Sequence, residues 1–256
     1  MSAAASSVPS SGTRPSAHRN AVRTAAVWSA LEPLLSRDKL TVVDLGGGTG
    51  GFAVPVAELG HDVTVIDPSP DALAALGRRA AELGVDVTAI QGDVSTLAQM
   101  DAGSADLVLC HGVLEVVPNV AIALVGIRGV LKPGGSVSLL VGQRSSAVLS
   151  RAMAGHFSEA RDLLEHSTMG RLGRRFTDGE VATALAAAGF QVTDTHGVRI
   201  FADLVPGSLL DSEPGAAESL VELELATAGL AEFRSFASQL HYIARLPEDP
   251  ASGGRR

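Results

Sequence analysis

The stretch "VVDLGGGTGG", Val42 to Gly51, restricts the folds open to this chain more than any other ten residues in it. An apolar run ends in an acid, then in a glycine cluster, and a second apolar segment follows. That order describes a strand turning sharply into a helix, with a backbone free to approach a ligand, because glycine takes left-handed conformations without steric cost. Two registers fit the cluster. Gly46, Gly48 and Gly51 spell G-x-G-x-x-G, the pattern of a pyrophosphate loop, whereas Asp44, Gly46, Gly48 and Gly50 spell D-x-G-x-G-x-G.

Around this loop, short apolar runs alternate with helical patterns. Leu40–Leu45 reads as a strand, the loop opens a helix to about Leu59, and His61–Asp67 is a second strand. Ser69 as N-cap, Pro70 at the first helical position and Gly84 as stop frame the next helix. Val85–Ile90 and Asp106–Cys110 are further strands; a helix over Asn119–Leu131 ends at the Lys132–Gly135 turn, and Ser136–Gly142 is the fifth strand. Runs apolar on both faces, in β-α order, predict an α/β fold with a doubly wound parallel sheet.

An amphipathic helix over Arg19–Leu35 precedes the sheet. After the fifth strand the rhythm changes, with helical segments near Ala147–Glu165, so residues 145–176 read as an insertion placed to cover a substrate. Thr177 and Glu180 form a capping box, Gly189 stops that helix, and "FQVTDTHGV" and "SQLHYIARL" are two late strands around a helix near Ala216–Phe233. Residues 1–18, biased to Ser, Ala and Pro, read as a disordered tail, 19–246 as one domain, and 247–256 as a loose tail.

Composition closes off several function classes. The single cysteine, Cys110, excludes an internal disulfide framework and reads as a small core residue, and no metal-ligand cluster is present. A net charge of −8 gives no global attraction to nucleic acid or anionic lipid. No apolar run approaches the roughly 18 to 20 residues of a membrane span, and the first residues lack the apolar segment of a signal peptide. A cytoplasmic setting is the expectation.

Charge separates the two registers of the loop. A pyrophosphate sits at a helix N-terminus because unpaired N–H groups and the dipole favour an anion there. Asp44 would lie beneath that anion, and two such charges repel by a few kcal/mol at an effective dielectric of about 20. S-adenosylmethionine (SAM) inverts the argument, because its sulfonium and amino groups are cationic. Asp67, closing the second strand, suits the ribose hydroxyls of either cofactor. Asp93 in "QGDVSTL" suits an adenine amino group, and His111 completes the set. Each has a competing structural role: Asp44 as a buried acid, Asp93 as a helix cap, His111 as a hydrogen-bonded wall.

Together, the D-x-G-x-G-x-G loop, Asp67 and the "LKPGG" turn resemble class I SAM-dependent methyltransferases. That resemblance implies a Rossmann-like sheet of seven strands, mostly parallel with an antiparallel last strand, helices on both faces, and SAM as cofactor. "LCHGVLEVVPN", "AVLSRAMAGHFSEA", "GVRIFADLV" and "LVELELA" look more narrowly like the bacterial tRNA 5-carboxymethoxyuridine methyltransferases, over about Arg23 to Arg245. Carried over by position, the cofactor contacts fall on Arg23, Gly46, Gly47, Asp67, Asp93 and His111, beside Asp44 and Gly48 from the loop itself. Arg23 then meets the SAM carboxylate, with an ordinary surface-helix arginine as its competing role.

The narrower resemblance implies tRNA as partner and methylation of a carboxylate. A carboxylate is already a nucleophile and needs orientation by a cation, for which Arg199 and Arg144 are the candidates, each with an ordinary salt bridge as its competing role. Arg171, Arg174 and Arg175 are candidates for RNA phosphates. Two other functions remain open: a SAM-dependent methyltransferase acting on a small-molecule metabolite, and an NAD-binding oxidoreductase, against which Asp44 argues.

Overall fold

The computed structural model describes residues 15–36, 38–165 and 173–248. Helix α1 (Pro15–Leu35) leads into β1 (Thr41–Leu45), α2 (Ala53–Glu58), β2 (Asp62–Asp67), α3 (Pro70–Leu83) and β3 (Thr88–Gln91). A 3-10 turn over Val94–Gln99 precedes β4 (Ala105–His111), α4 (Val120–Val130) and β5 (Leu131–Gly142). Then come α5 (Arg144–Met153), α6 (Phe157–Glu165), α7 (Asp178–Ala187) and β6 (Gln191–Val198). The remaining elements are α8 (Gly207–Ser212), α9 (Ala216–Ala228), α10 (Ala231–Arg234) and β7 (Gln239–Arg245).

The strands form one seven-stranded sheet in the order β3-β2-β1-β4-β5-β7-β6. All neighbours are parallel except β7, which runs antiparallel to both β5 and β6. The mostly parallel α/β sheet with an antiparallel last strand is the expected one. Chain order reverses between β1 and β4, which opens a crevice at their carboxyl ends.

Both faces of the sheet are covered. Val42, Val65, Leu107 and Leu109 pack with Val27 and Leu31 of α1, Val54 of α2 and Leu76 of α3. On the other face Val43, Leu45, Val108 and Leu139 pack with Leu124 and Ile127 of α4 and with Val181 and Leu185 of α7. Fully buried leucine and isoleucine side chains contribute roughly 1.5–3 kcal/mol each relative to exposure, so the frame beneath the crevice is the rigid part of the molecule.

Local signals set the element ends. Ser69 caps α3 by accepting from the Ala72 N–H, and Gly84 ends it at φ 67°. Thr177 and Glu180 make the reciprocal capping box of α7. Several boundaries differ from the sequence reading, among them β3, which starts at Thr88 instead of Val85, and the stretch near Ala147–Glu165, which starts at Arg144 and forms two helices. Helix α1 starts at Pro15, inside the stretch expected to be a tail; proline suits a first helical position, where no N–H partner is needed. Strand β5 starts at Leu131, which pairs with Ala105 before the Lys132–Gly135 turn bulges out and the ladder resumes at Ser136 and Leu107. The late helix divides at Gly229 into α9 and α10. Residues 1–14 and 249–256, most of the two expected tails, lie outside the described residues.

Candidate active site

The glycine loop closes on itself through the acids at the strand ends. Gly46, Gly48 and Gly50 have φ of 72°, 55° and 78°, which no other residue type adopts cheaply in succession. Gly47 has a different constraint, because a Cβ there would lie 2.5 Å from Asp44 Oδ2. Asp67 Oδ2 accepts the Gly48 N–H at 2.9 Å and its Oδ1 accepts the Ser69 N–H at 2.9 Å. A carboxylate has about four lone-pair sites, so each oxygen retains capacity for a ligand.

Asp44 is 3% exposed and forms no ion pair among the described residues. Burial, helped by the negative charge of Asp67, pushes its carboxyl up to about 7. A buried acid of this kind lacks a cation. Asp93 lies farther out: it caps the 3-10 turn, its Oδ1 accepting from both the N–H and the hydroxyl of Ser95, at 2.8 and 2.6 Å.

His111, at the end of β4, faces the loop across an aromatic seam. Trp28 of α1 stacks on Phe52 at 4.9 Å, and Phe52 meets the His111 ring edge-on at 4.7 Å. His111 Nε2 pairs with Ser138 Oγ at 2.8 Å, and the same hydroxyl pairs with His241 Nε2 at 2.7 Å. Burial lowers the His111 pKa to about 4, so the ring is neutral at pH 7. Its Nδ1 has no partner among the described residues. Cys110 beside it is buried, and burial raises its thiol pKa, which leaves it inert.

Beyond β5 a cavity of about 1230 Å³ opens between the sheet and the α5–α6 pair. Charged groups of both signs face it, among them Glu115, Arg175, Arg199 and Asp203. Arg199 is the one non-glycine residue with positive φ (60°) among the described residues. Such a backbone costs of order 1–3 kcal/mol and persists only where its surroundings enforce it. The enforcing group is Glu224, 1% exposed, whose carboxylate accepts the consecutive N–H groups of Ile200, Phe201 and Ala202 at 2.9, 2.8 and 2.7 Å.

Arg199 donates to Asp203 Oδ1 at 2.9 Å, and Arg23 of α1 donates to that same oxygen at 3.1 Å. Arg144 is absent from the cavity lining: its Nη2 reaches both Glu180 oxygens at 2.7 Å and the Arg175 carbonyl at 3.1 Å, which ties α5 to α7. Arg175 lines the cavity, whereas Arg174 lies 5.9 Å from the Phe176 ring. Arg171 lies outside the described residues.

Glu115 was not singled out by sequence. It is 7% exposed, its Oε1 accepts the Gly142 N–H at 2.7 Å, and its Oε2 has no partner among the described residues. Burial raises its pKa. Its place just past the fourth strand was the available signal. Asp203, four residues beyond Arg199, offered a similar one.

Comparison with known proteins narrows the chemistry. A methyltransferase-domain family model matches residues 43–139, the segment from β1 into β5. The ubiquinone biosynthesis O-methyltransferase of Xanthomonas axonopodis pv. citri is 33% identical over 183 residues, covering 70% of this chain and 72% of that protein. The chain belongs to the class I SAM-dependent methyltransferases. The tRNA 5-carboxymethoxyuridine methyltransferase of Escherichia coli K12 is 27% identical over 237 residues, covering 89% of each chain. Among solved structures, a Burkholderia thailandensis 1,6-didemethyltoxoflavin-N1-methyltransferase with bound S-adenosylhomocysteine superposes with a TM-score of 0.54 at 22% identity, over 90% of this chain and 80% of the other.

SAM is the cofactor of this methyltransferase, and the oxidoreductase alternative is overturned by these matches. The residues at the crevice fit it. A buried carboxyl without a cation suits a sulfonium or ammonium group, and a loop of glycines admits the ligand to the backbone. Among the described residues, no group of three His, Cys, Asp or Glu is placed to hold a metal, and no helix is long and apolar enough to cross a membrane.

Proposed function

We propose that this methyltransferase O-methylates a carboxylate, with 5-carboxymethoxyuridine in tRNA as the first acceptor to test. The observation that carries the reading is Arg199: a guanidinium at the carboxyl end of the sheet, facing the cavity on a strained backbone that Glu224 enforces. Arg175 on the same cavity supplies a second cation, and the similarity to the Escherichia coli tRNA enzyme over 89% of each chain supports the choice of acceptor. Nucleoside analysis of tRNA from cells lacking and regaining the protein tests it. The free acid should accumulate in its absence, and an unchanged wobble nucleoside would rule this acceptor out.

In this reading Asp44, Gly46, Gly47, Gly48, Asp67, Asp93 and His111 hold SAM, with Arg23 on its carboxylate. When bound, SAM supplies an electrophilic methyl group. Asp44 then faces the cationic end, Asp67 takes the ribose and Asp93 the adenine. Arg199 orients the acceptor carboxylate, which needs no base because it is already anionic. Helices α5 and α6, within the insertion expected over residues 145–176, cover the cavity and keep water from the transfer. Arg144 orients α5 through Glu180 rather than touching the acceptor. We place the protein in the cytoplasm.

Glu115 favours a second reading, a small-molecule hydroxyl as acceptor. A hydroxyl must lose a proton, and a buried carboxyl with one unpartnered oxygen on the cavity wall is built to take it. The variant E115Q separates the two. A carboxylate acceptor should retain kcat within a few fold, whereas removing a general base costs about 10²–10⁴-fold and erases its limb of the pH profile.

A further inference from the structure

One carboxylate oxygen stands between the two halves of the site. Asp203 Oδ1 accepts from Arg23 on α1 and from Arg199 at the end of β6, at 3.1 and 2.9 Å. The three side chains carry two positive charges and one negative, and all are partly exposed: 50% for Arg23, 24% for Arg199 and 25% for Asp203. Arg199 is further fixed by Gln239 Oε1 at 3.3 Å and by the Glu224-held turn, so Asp203 is anchored from the acceptor side. Arg23 uses one terminal nitrogen on Asp203, and among the described residues the rest of its donor fork is left for a second anion.

We infer that Asp203 is a positioning residue that couples the two substrates' sites: it steers the cofactor-side Arg23 while being held in place by the acceptor-side Arg199. This rests on the reading of Arg23 as a cofactor contact. The physical basis is sharing. A carboxylate pinned by Arg199 keeps one rotamer and presents one oxygen to Arg23; without that pin it rotates into water, and Arg23 loses its orientation. Occupation of Arg199 by an acceptor carboxylate then reaches the cofactor pocket through this one oxygen.

Calorimetry of the full chain with S-adenosylhomocysteine as the probe tests the coupling. D203N keeps the shape and removes the charge, and R199N removes the guanidinium with a residue that tolerates a left-handed backbone. Each should weaken the probe about two- to fivefold, the scale of a partly exposed charge pair, and D203E should recover most of that loss. The double variant should bind no more weakly than D203N, because Arg199 acts only through Asp203. Unchanged affinity in R199N, or effects of R199N and D203N that multiply, would overturn the inference. R23Q keeps its failure apart from that of the cofactor reading. If R23Q binds like wild type, Arg23 is no cofactor contact; if R23Q weakens binding while R199N does not, only the coupling fails.

Discussion

A carboxyl as enclosed as Asp44 has a folded-state pKa of about 7 against an ordinary value of 3.8, because burial and Asp67 both oppose its charge. Between those values the folded chain binds a proton that the unfolded chain has lost, so this group's effect on stability worsens as pH rises from about 4 to 7. D44N removes the charge at constant shape. Its melting temperature should exceed that of wild type at pH 8 and converge with it at pH 4; a difference that does not grow with pH would falsify this account. The same carboxyl must ionise to meet a cation. SAM binding at pH 6.5 should therefore release a proton, seen as a binding enthalpy that changes with the buffer's ionisation enthalpy, and D44N should abolish the release. Asp44 was legible in the sequence because charge type and glycine spacing sit within one decapeptide. Its near-neutral pKa was not, since that depends on what the fold packs around it.

At the scale of elements, the caps were the readable features. Ser69 with Pro70 and Gly84, and Thr177 with Glu180, each satisfy backbone groups within a few residues, so a local pattern contains the whole interaction. Glu224 is the opposite case. In "LVELELA" it is one of two glutamates two residues apart and reads as an ordinary helix acid, yet its partners are backbone groups of β6's exit turn, 22 to 24 residues upstream. E224A leaves three N–H groups without their acceptor and should lower stability by roughly 2–4 kcal/mol, measured by urea unfolding. T177A loses one cap bond and should cost about 1 kcal/mol. A smaller loss in E224A than in T177A would show that the turn holds Arg199 in place without the carboxylate.

Across the whole molecule, the order of strands and helices was readable because the apolar runs of β1, β2, β4, β5 and β7 are largely buried, whereas the edge strands β3 and β6 are mostly exposed. The placement of the α5–α6 pair was not, because its residues are committed to few partners. Helix α5 has no buried residue, α6 buries only Ala160, and Met153, Phe157 and Leu164 are each about two-thirds or more exposed. A cover with so little apolar anchoring opens at low cost. Hydrogen exchange across Arg144–Glu165 should be fast relative to β1, β4 and β5 in the free protein and slow when S-adenosylhomocysteine and acceptor are both present. Equal protection of cover and sheet in the free protein would contradict that ordering.

The position of β7 has a consequence for the growing chain. It is last in sequence but lies between β5 and β6, antiparallel to both. All the residues proposed to hold SAM are translated before β6, yet β6 and the Arg199 turn have no strand to join until β7 emerges. A chain stopped after α10 therefore carries the glycine loop and its acids in a sheet of five strands, while the acceptor arginine has the Glu224-held turn but neither β6's place in the sheet nor Gln239 to fix it. The glycine loop and its acids are in place before β7 is made, whereas Arg23, through Asp203, and the recipient's half both wait on β7.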